Sequence, residues 1–192
     1  AWLERGLARP AVQRGLEILY RIQTDVDVED YVIGEGTRAA IGVARVPGEQ
    51  LFVSEATGDL ELALFVDEAV LAHLAAHDPR TRLDDGNLDQ FLLAVEGVSH
   101  FVYVVWRAQS ERPVSALELE LQAEVDKYVT CLLTMWTQNG TPPEGLRGRL
   151  FERFTLAPGV ADEERDRYLA ANANARTYAG TLEERFVAKN CI

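Results

Sequence analysis

One histidine and one arginine lie in an apolar stretch, residues 98–107, that directly precedes an acidic helical segment. The stretch is rich in β-branched and aromatic residues, which predicts a strand that is covered on both faces. His100 and Arg107 would lie on this strand, and Glu96 just before it. The helical segment offers Glu124, which falls near its apolar side and would need a pairing partner if buried. We therefore expect a binding site formed by Glu96, His100, Arg107 and Glu124.

These residues could also have a purely structural role. A carboxylate beside an imidazole is the minimal unit of general base catalysis, but a histidine on a buried face needs a hydrogen-bond partner in any case. No serine or cysteine nucleophile is identified beside His100. Glu124 is also within ion-pair reach of Lys127, and a Ser115–Glu118 capping box explains another carboxylate of the helix. The structural alternative is a core histidine and a capped, solvated helix face with one ion pair.

His73 and His77 are the candidate metal ligands. Their four-residue spacing on a helix places both imidazoles on one face, where they could chelate a transition metal together with a carboxylate such as Asp78. The intervening residues are Leu-Ala-Ala, without the glutamate that zinc proteases place after the first histidine, and no third ligand stands at a diagnostic distance. The alternative is a pair of histidines that flank the apolar stripe of a surface helix.

Hydrophobic periodicity gives the order of the elements. Helical spacing is found over residues 10–23, 67–77, 87–96, 115–139, 141–154 and from 162 onward, and alternation over 39–46, 49–54 and 60–66. With the strand at 98–107, this order predicts an α+β fold. We expect a small, mostly antiparallel sheet, made of a three-strand meander plus one central strand, packed against several helices, with a helical C-terminal half. The length and the lack of a long linker predict a single α+β domain over residues 1–192.

The chain of 192 residues carries 31 acidic and 19 basic residues, a formal charge of −12. This charge repels phosphate backbones and anionic lipid surfaces, so we expect no nucleic-acid partner. No apolar run approaches the roughly 20 residues that a membrane span needs, and the first residues lack the apolar core of a signal peptide. We therefore expect a cytoplasmic protein with no membrane partner, in which Cys131 and Cys191 are reduced thiols.

The sequence contains no phosphate-binding loop, nucleophile elbow, CxxC pair or dinucleotide fingerprint, and we predict no cofactor. The leading expectation is a soluble, non-catalytic interaction or regulatory protein that is homo-oligomeric and uses its late helices to contact a protein partner or a second copy. One alternative is a metal-assisted hydrolase with ligands from His73, His77, His100 and the acidic helix. The other is a small-molecule binding module with a pocket between the strand 98–107 and the helix 115–137. The sequence leaves open whether the chain is an enzyme.

Overall fold

The computed structural model describes residues 9–41, 48–56, 59–152 and 161–189. Over these residues the chain is an α+β protein in which helices predominate and three strands form one mixed sheet. The chain divides into two compact units, Ala1–Pro113 and Val114–Ile192. A single domain over residues 1–192 stays a prediction.

Within the described residues, the N-terminal unit contains four helices, one 3₁₀ turn and the three strands. In chain order these are α1 (Arg9–Tyr20), the 3₁₀ turn Val28–Tyr31, β1 (Val32–Ile33), α2 (Glu35–Ile41), β2 (Glu49–Ala56), β3 (Asp59–Val66), α3 (Glu68–Ala76) and α4 (Leu88–Gln109). The strand order is β1-β3-β2, with β1 parallel and β2 antiparallel to β3. Leu64 on β3 is in register with both Val32 and Leu51 and is fully buried, so it marks the centre of the sheet.

The helix α4 forms the core of this unit. It packs against α1, α3, β2 and β3, and apolar side chains are buried around most of its circumference. Val95, Val98 and Phe101 are all 0% exposed. An 18-residue window of α4 has the length and the mean hydropathy, 1.3, that a membrane span would need, and 56% of that window is buried inside the structure. Burial of this kind is typical of a core helix, so α4 by itself does not indicate a membrane.

The predicted central strand at residues 98–107 is wrong, because these residues form the second half of α4. A helix that is packed on several sides carries apolar residues all round, and its sequence then loses the helical period and resembles a buried strand. Gly97, which directly follows the predicted helix 87–96, lies inside α4. It lets the helix approach the sheet, since a Cβ at this position would lie 3.0 Å from Leu64 Cδ1 and 3.0 Å from Glu49 Oε2.

The sheet is mixed and is not the mostly antiparallel meander that the sequence predicts. The antiparallel pair of β2 and β3 is confirmed, and the alternation over 60–66 correctly indicates β3. The predicted strand 39–46 is wrong at its start, because residues 39–41 belong to α2, and residues 42–46 lie outside the described ranges. The third strand is β1, which has only two residues and is too short for a periodicity to indicate it.

The described part of the C-terminal unit is helical. Its elements are α5 (Ala116–Asn139), α6 (Leu146–Phe151), α7 (Asp162–Leu182) and a π-helical turn Glu183–Val187. The predicted capping box of α5 is confirmed, because Ser115 Oγ accepts from the Glu118 N–H at 3.2 Å and the Glu118 carboxylate accepts from the Ser115 N–H at 2.9 Å. The helix ends at Gly140, whose φ of 73° is a left-handed conformation that favours glycine. Buried alanines recur every four residues on α7, which lets α5 pack closely against it.

Replacing Gly97 by alanine should lower the free energy of unfolding by about 1–3 kcal/mol, the usual cost of overpacking a core. Gly15 on α1 provides the matched control, because nothing lies within 4 Å of a Cβ at that position. There alanine should stabilise the protein by up to about 1 kcal/mol through its higher helix propensity. Chemical denaturation measures both variants. Equal stability of Gly97→Ala and Gly15→Ala would contradict the close approach of α4 to the sheet.

Candidate functional site

The side-chain amide of Gln13 lies inside the N-terminal unit, on the inner face of α1, and only 6% of the residue is exposed. Its Nε2 donates to Thr24 Oγ1 at 2.9 Å and to the Val26 carbonyl at 2.7 Å. Its Oε1 accepts from the Val28 N–H at 2.9 Å. The buried amide is therefore satisfied by groups from the segment that follows α1, and it holds that segment against the helix.

Glu17, one turn after Gln13 on α1, holds the same segment. Its Oε1 accepts from the Thr24 N–H at 3.2 Å, from the Thr24 hydroxyl, and from Gln13 Nε2 at 3.2 Å. Thr24 is 1% exposed, so its hydroxyl is enclosed by these contacts. The Thr24 carbonyl accepts a further hydrogen bond from Gln109 Nε2, at the end of α4, at 2.7 Å.

Arg9, Gln13 and Glu17 form a polar stripe at four-residue spacing on one face of α1. Arg9 makes a bidentate ion pair with Glu29, with its Nε 2.9 Å from Oε1 and its Nη2 3.1 Å from Oε2. Glu17 binds residue 24, Gln13 binds residues 24, 26 and 28, and Arg9 binds residue 29. Positions earlier on α1 therefore bind positions later in the segment. The segment runs antiparallel to α1 and is fixed to it at each helical turn.

Two residues between α1 and the 3₁₀ turn have left-handed backbone conformations. Arg21 has φ 54° and follows α1, where the Ile22 N–H donates to the Glu17 carbonyl at 3.0 Å. Many helices end on glycine at this position. Asp25 has φ 57°, which aspartate adopts more readily than most residues. These two bends let the chain reverse direction and return along α1.

A groove of about 490 Å³ lies between α1 and the returning segment, a volume typical of small-ligand sites. Its charged lining consists of Arg14, Glu17, Asp25, Asp27 and Asp30. Four carboxylates and one guanidinium give this lining a formal charge of −3. Asp27 also caps the 3₁₀ turn by accepting from the Glu29 N–H at 3.0 Å.

Apolar surface separates the charged groups of the groove. Pro10, Val26 and Tyr31 supply it, and the Tyr31 ring packs against Phe101 with ring centroids 5.0 Å apart. All of the groove's residues are described, and no three of its carboxylates bring oxygen atoms within 4.8 Å of one another. The groove's carboxylates therefore do not converge in threes on one point.

Three of the residues predicted as a site, Glu96, His100 and Arg107, lie on one face of α4. Each is half-buried, on a helix whose other faces are largely buried. Glu96 and His100 are one turn apart, whereas Arg107 lies about 10 Å further along the helix axis. Arg107 Nη2 donates to the Pro113 carbonyl at 2.6 Å, which folds the chain after α4 back onto its last turn.

The fourth predicted site residue, Glu124, lies on α5 in the C-terminal unit. It is 9% exposed, and its Oε1 accepts from Lys127 Nζ at 2.5 Å, which confirms the predicted ion pair. A joint site of Glu96, His100, Arg107 and Glu124 stays a prediction.

His73 and His77 lie at the end of α3, with their rings stacked 4.5 Å apart between centroids. His73 Nε2 donates to the Gly86 carbonyl at 2.7 Å, since a carbonyl oxygen can only accept. The proposed third ligand, Asp78, binds the Arg80 guanidinium through both carboxylate oxygens. In the part of the chain that is described, no third ligand atom forms a group with both imidazoles within 4.8 Å. Metal binding by this pair stays a prediction.

The groove is the site that sequence reasoning missed. The acidic residues from Asp25 to Asp30 lie between the predicted helix 10–23 and the predicted strand 39–46, and neither they nor Gln13 belong to a recognisable motif. The available signal was the position of Gln13 between Val12 and Leu16, on the buried face of an amphipathic helix. An amide there must find hydrogen-bond partners, and the polar residues that follow α1 are the nearest in sequence.

No protein-family model, no curated protein and no solved structure matches the chain. What the groove binds is therefore inferred from its own geometry and charge.

Two ionisable groups of α5, Tyr128 and Cys131, are buried within the C-terminal unit. The Tyr128 hydroxyl donates to Glu183 Oε1 at 3.0 Å, and Arg147 Nε donates to Glu183 Oε2 at 2.8 Å. Burial, and then the charge of Glu183, raises the pKa of Tyr128 well above its usual value. Burial likewise raises the pKa of the Cys131 thiol to about 12. Both groups keep their protons in the folded protein at pH values where they ionise in the unfolded chain.

We expect the free energy of unfolding to fall as the pH rises above the ordinary pKa values of these groups, 9.0 for cysteine and 10.0 for tyrosine. In that range the unfolded chain releases protons that the folded protein retains, so stability is lost with rising pH. Urea denaturation at about pH 8 and about pH 10.5 measures the change.

Tyr128→Phe should reduce this pH dependence, whereas Tyr178→Phe, at a position that is 51% exposed, should leave it unchanged. Equal stability of the unmodified protein at the two pH values would contradict the burial of Tyr128 and Cys131.

Proposed function

We propose that the chain is a non-catalytic binding protein whose N-terminal unit holds an organic polycation in the groove beside α1. The observation that carries the proposal is the lining, in which four carboxylates and one guanidinium surround a space of about 490 Å³. A positively charged ligand is attracted by this excess of negative charge. The charge of −12 on the whole chain adds a long-range attraction of the same sign.

The distribution of the carboxylates favours several linked ammonium groups over a single metal ion. Calcium and magnesium need several oxygen atoms that converge at about 2.0–2.6 Å, and the groove's carboxylates do not converge. Glu17 and Asp27 also have oxygen atoms that already accept hydrogen bonds from the protein. The methylene groups of a linear polyamine could contact Pro10, Val26 and Tyr31 while its ammonium groups approach separate carboxylates.

The hydrogen bonds from α1 support binding because they fix the groove's outer wall before a ligand arrives. Gln13 and Glu17 hold the backbone at Thr24, Val26 and Val28. Because these hydrogen bonds already position the wall, a ligand has less of it left to order, which lowers the entropic cost of binding.

The lining favours binding over catalysis. It includes no histidine or cysteine, and its threonine hydroxyl, on Thr24, is enclosed and donates to Glu17. A nucleophile must be accessible to a substrate as well as close to a base. The metal-assisted hydrolase that the sequence allowed stays a prediction.

We propose that the protein is cytoplasmic and self-associates or binds a protein partner, without nucleic-acid or membrane partners. The charge of −12 supports the exclusion of phosphate-rich partners. Exposed apolar side chains in the C-terminal unit, among them Leu169, Tyr178 and Phe186, support self-association.

Spermine, a linear tetraamine, should bind the protein at low ionic strength, and Asp25→Asn and Asp30→Asn should each weaken binding by about threefold. The double variant should weaken it by about tenfold. Both substitutions remove a charge and keep the shape of the side chain, and asparagine adopts the left-handed conformation of position 25 as aspartate does. Isothermal titration calorimetry measures the dissociation constants.

Glu61→Gln is the matched control, since it removes one negative charge from an exposed position on β3 in the same unit. It should leave the affinity for spermine unchanged. The proposal is contradicted if spermine does not bind, or if Glu61→Gln weakens binding as much as the groove variants do, because the ligand would then respond only to the overall charge.

A further inference from the structure

We propose that occupancy of the groove is coupled to the C-terminal end of α4 through the hydrogen bond from Gln109 to the Thr24 carbonyl. This inference rests on the proposed function and adds a regulatory connection to it. Thr24 lines the groove, whereas Gln109 does not, and the two residues are 85 positions apart in sequence. Their hydrogen bond, 2.7 Å long, joins the groove wall to the last residue of α4.

On the groove side, the position of the Thr24 carbonyl is set by the contacts that form the wall. The Thr24 N–H and hydroxyl both donate to Glu17, and the Thr24 hydroxyl accepts from Gln13 Nε2. A ligand held between α1 and residues 25–30 would restrict the same backbone. Restricting this backbone also restricts the carbonyl that Gln109 needs as its acceptor.

On the helix side, Gln109 holds an end of α4 that has a strained backbone. Glu111 has φ 50°, a left-handed conformation that is unfavourable for a residue with a long side chain. The N–H groups of residues 110, 111 and 112 donate to the carbonyls of Arg107 and Ala108 at 2.9–3.1 Å. Arg107 Nη2 also donates to the Pro113 carbonyl at 2.6 Å, at the last residue of the N-terminal unit.

The coupling must act in both directions. If ligand binding stabilises the hydrogen bond between Thr24 and Gln109 by some factor, then the loss of that hydrogen bond must lower the affinity for the ligand by the same factor. A neutral hydrogen bond corresponds to about a fivefold effect on an equilibrium constant. Gln109 is therefore a positioning residue that changes affinity without touching the ligand.

Hydrogen exchange at the amides of residues 110–112, with and without saturating spermine, tests the coupling. Spermine should slow their exchange by about fivefold in the unmodified protein and should have no effect on it in Gln109→Ala. Gln109→Ala should also weaken spermine binding by up to about fivefold. Gln109→Met, which has a similar length and no N–H to donate to the Thr24 carbonyl, should behave in the same way and controls for an effect that is specific to alanine.

Gln90→Ala is the matched control, because it shortens the same side chain on the same helix about 28 Å from Gln109 along its axis. It should keep both the affinity and the slowed exchange. Spermine binding with no change at residues 110–112 overturns the coupling and leaves the proposed function intact. The coupling is also overturned if Gln109→Ala binds spermine as tightly as the unmodified protein does and shows the same slowing of exchange at residues 110–112. A lack of spermine binding to the unmodified protein overturns both the proposed function and the coupling.

Discussion

The groove in the N-terminal unit depends on the buried side-chain amide of Gln13. An amide removed from water costs several kcal/mol unless its donors and acceptor are satisfied, which here requires the chain after α1 to return along the helix. Gln13 binds that returning chain at residues 24, 26 and 28, while Glu17 and Arg9 bind it on either side. The carboxylates of Asp25 and Asp27 are placed where they are because this backbone is fixed.

The sequence predicted those elements whose signal is local. The capping box that starts α5 is a contact between Ser115 and Glu118, three residues apart, and it is confirmed in detail. The alternation that indicated β3 is also local, because one face of this strand meets the core. Residues 98–107 were misjudged because their state depends on long-range packing. The neighbours α1, α3 and the sheet bury most of the circumference of α4, so apolar residues are found on nearly every face of the helix. The sequence then shows no clear helical period.

The candidate site also shows this difference between local sequence signals, which can be recognised, and long-range contacts, which cannot. Three of the residues that the sequence singled out, Glu96, His100 and Arg107, share a face of α4, although the prediction had placed them on or beside a strand. They share it because residues 4 and 7 positions apart in sequence lie on the same face of a helix. The groove could not be predicted in this way, because Gln13 binds mainly backbone groups that lie 13 to 15 residues away. The composition of the sequence shows the acidic residues after α1 but does not show that their backbone is held.

The central claim, that Gln13 holds the groove wall, is tested most directly by urea denaturation of Gln13→Leu. Leucine has a similar volume, but it would leave the Val28 N–H and the Val26 carbonyl without their partner inside the unit. The account predicts a loss of about 2–4 kcal/mol in the free energy of unfolding, since each buried group that loses its hydrogen bond costs about 1–3 kcal/mol. A loss of less than about 0.5 kcal/mol, the size of an ordinary surface substitution, would contradict it.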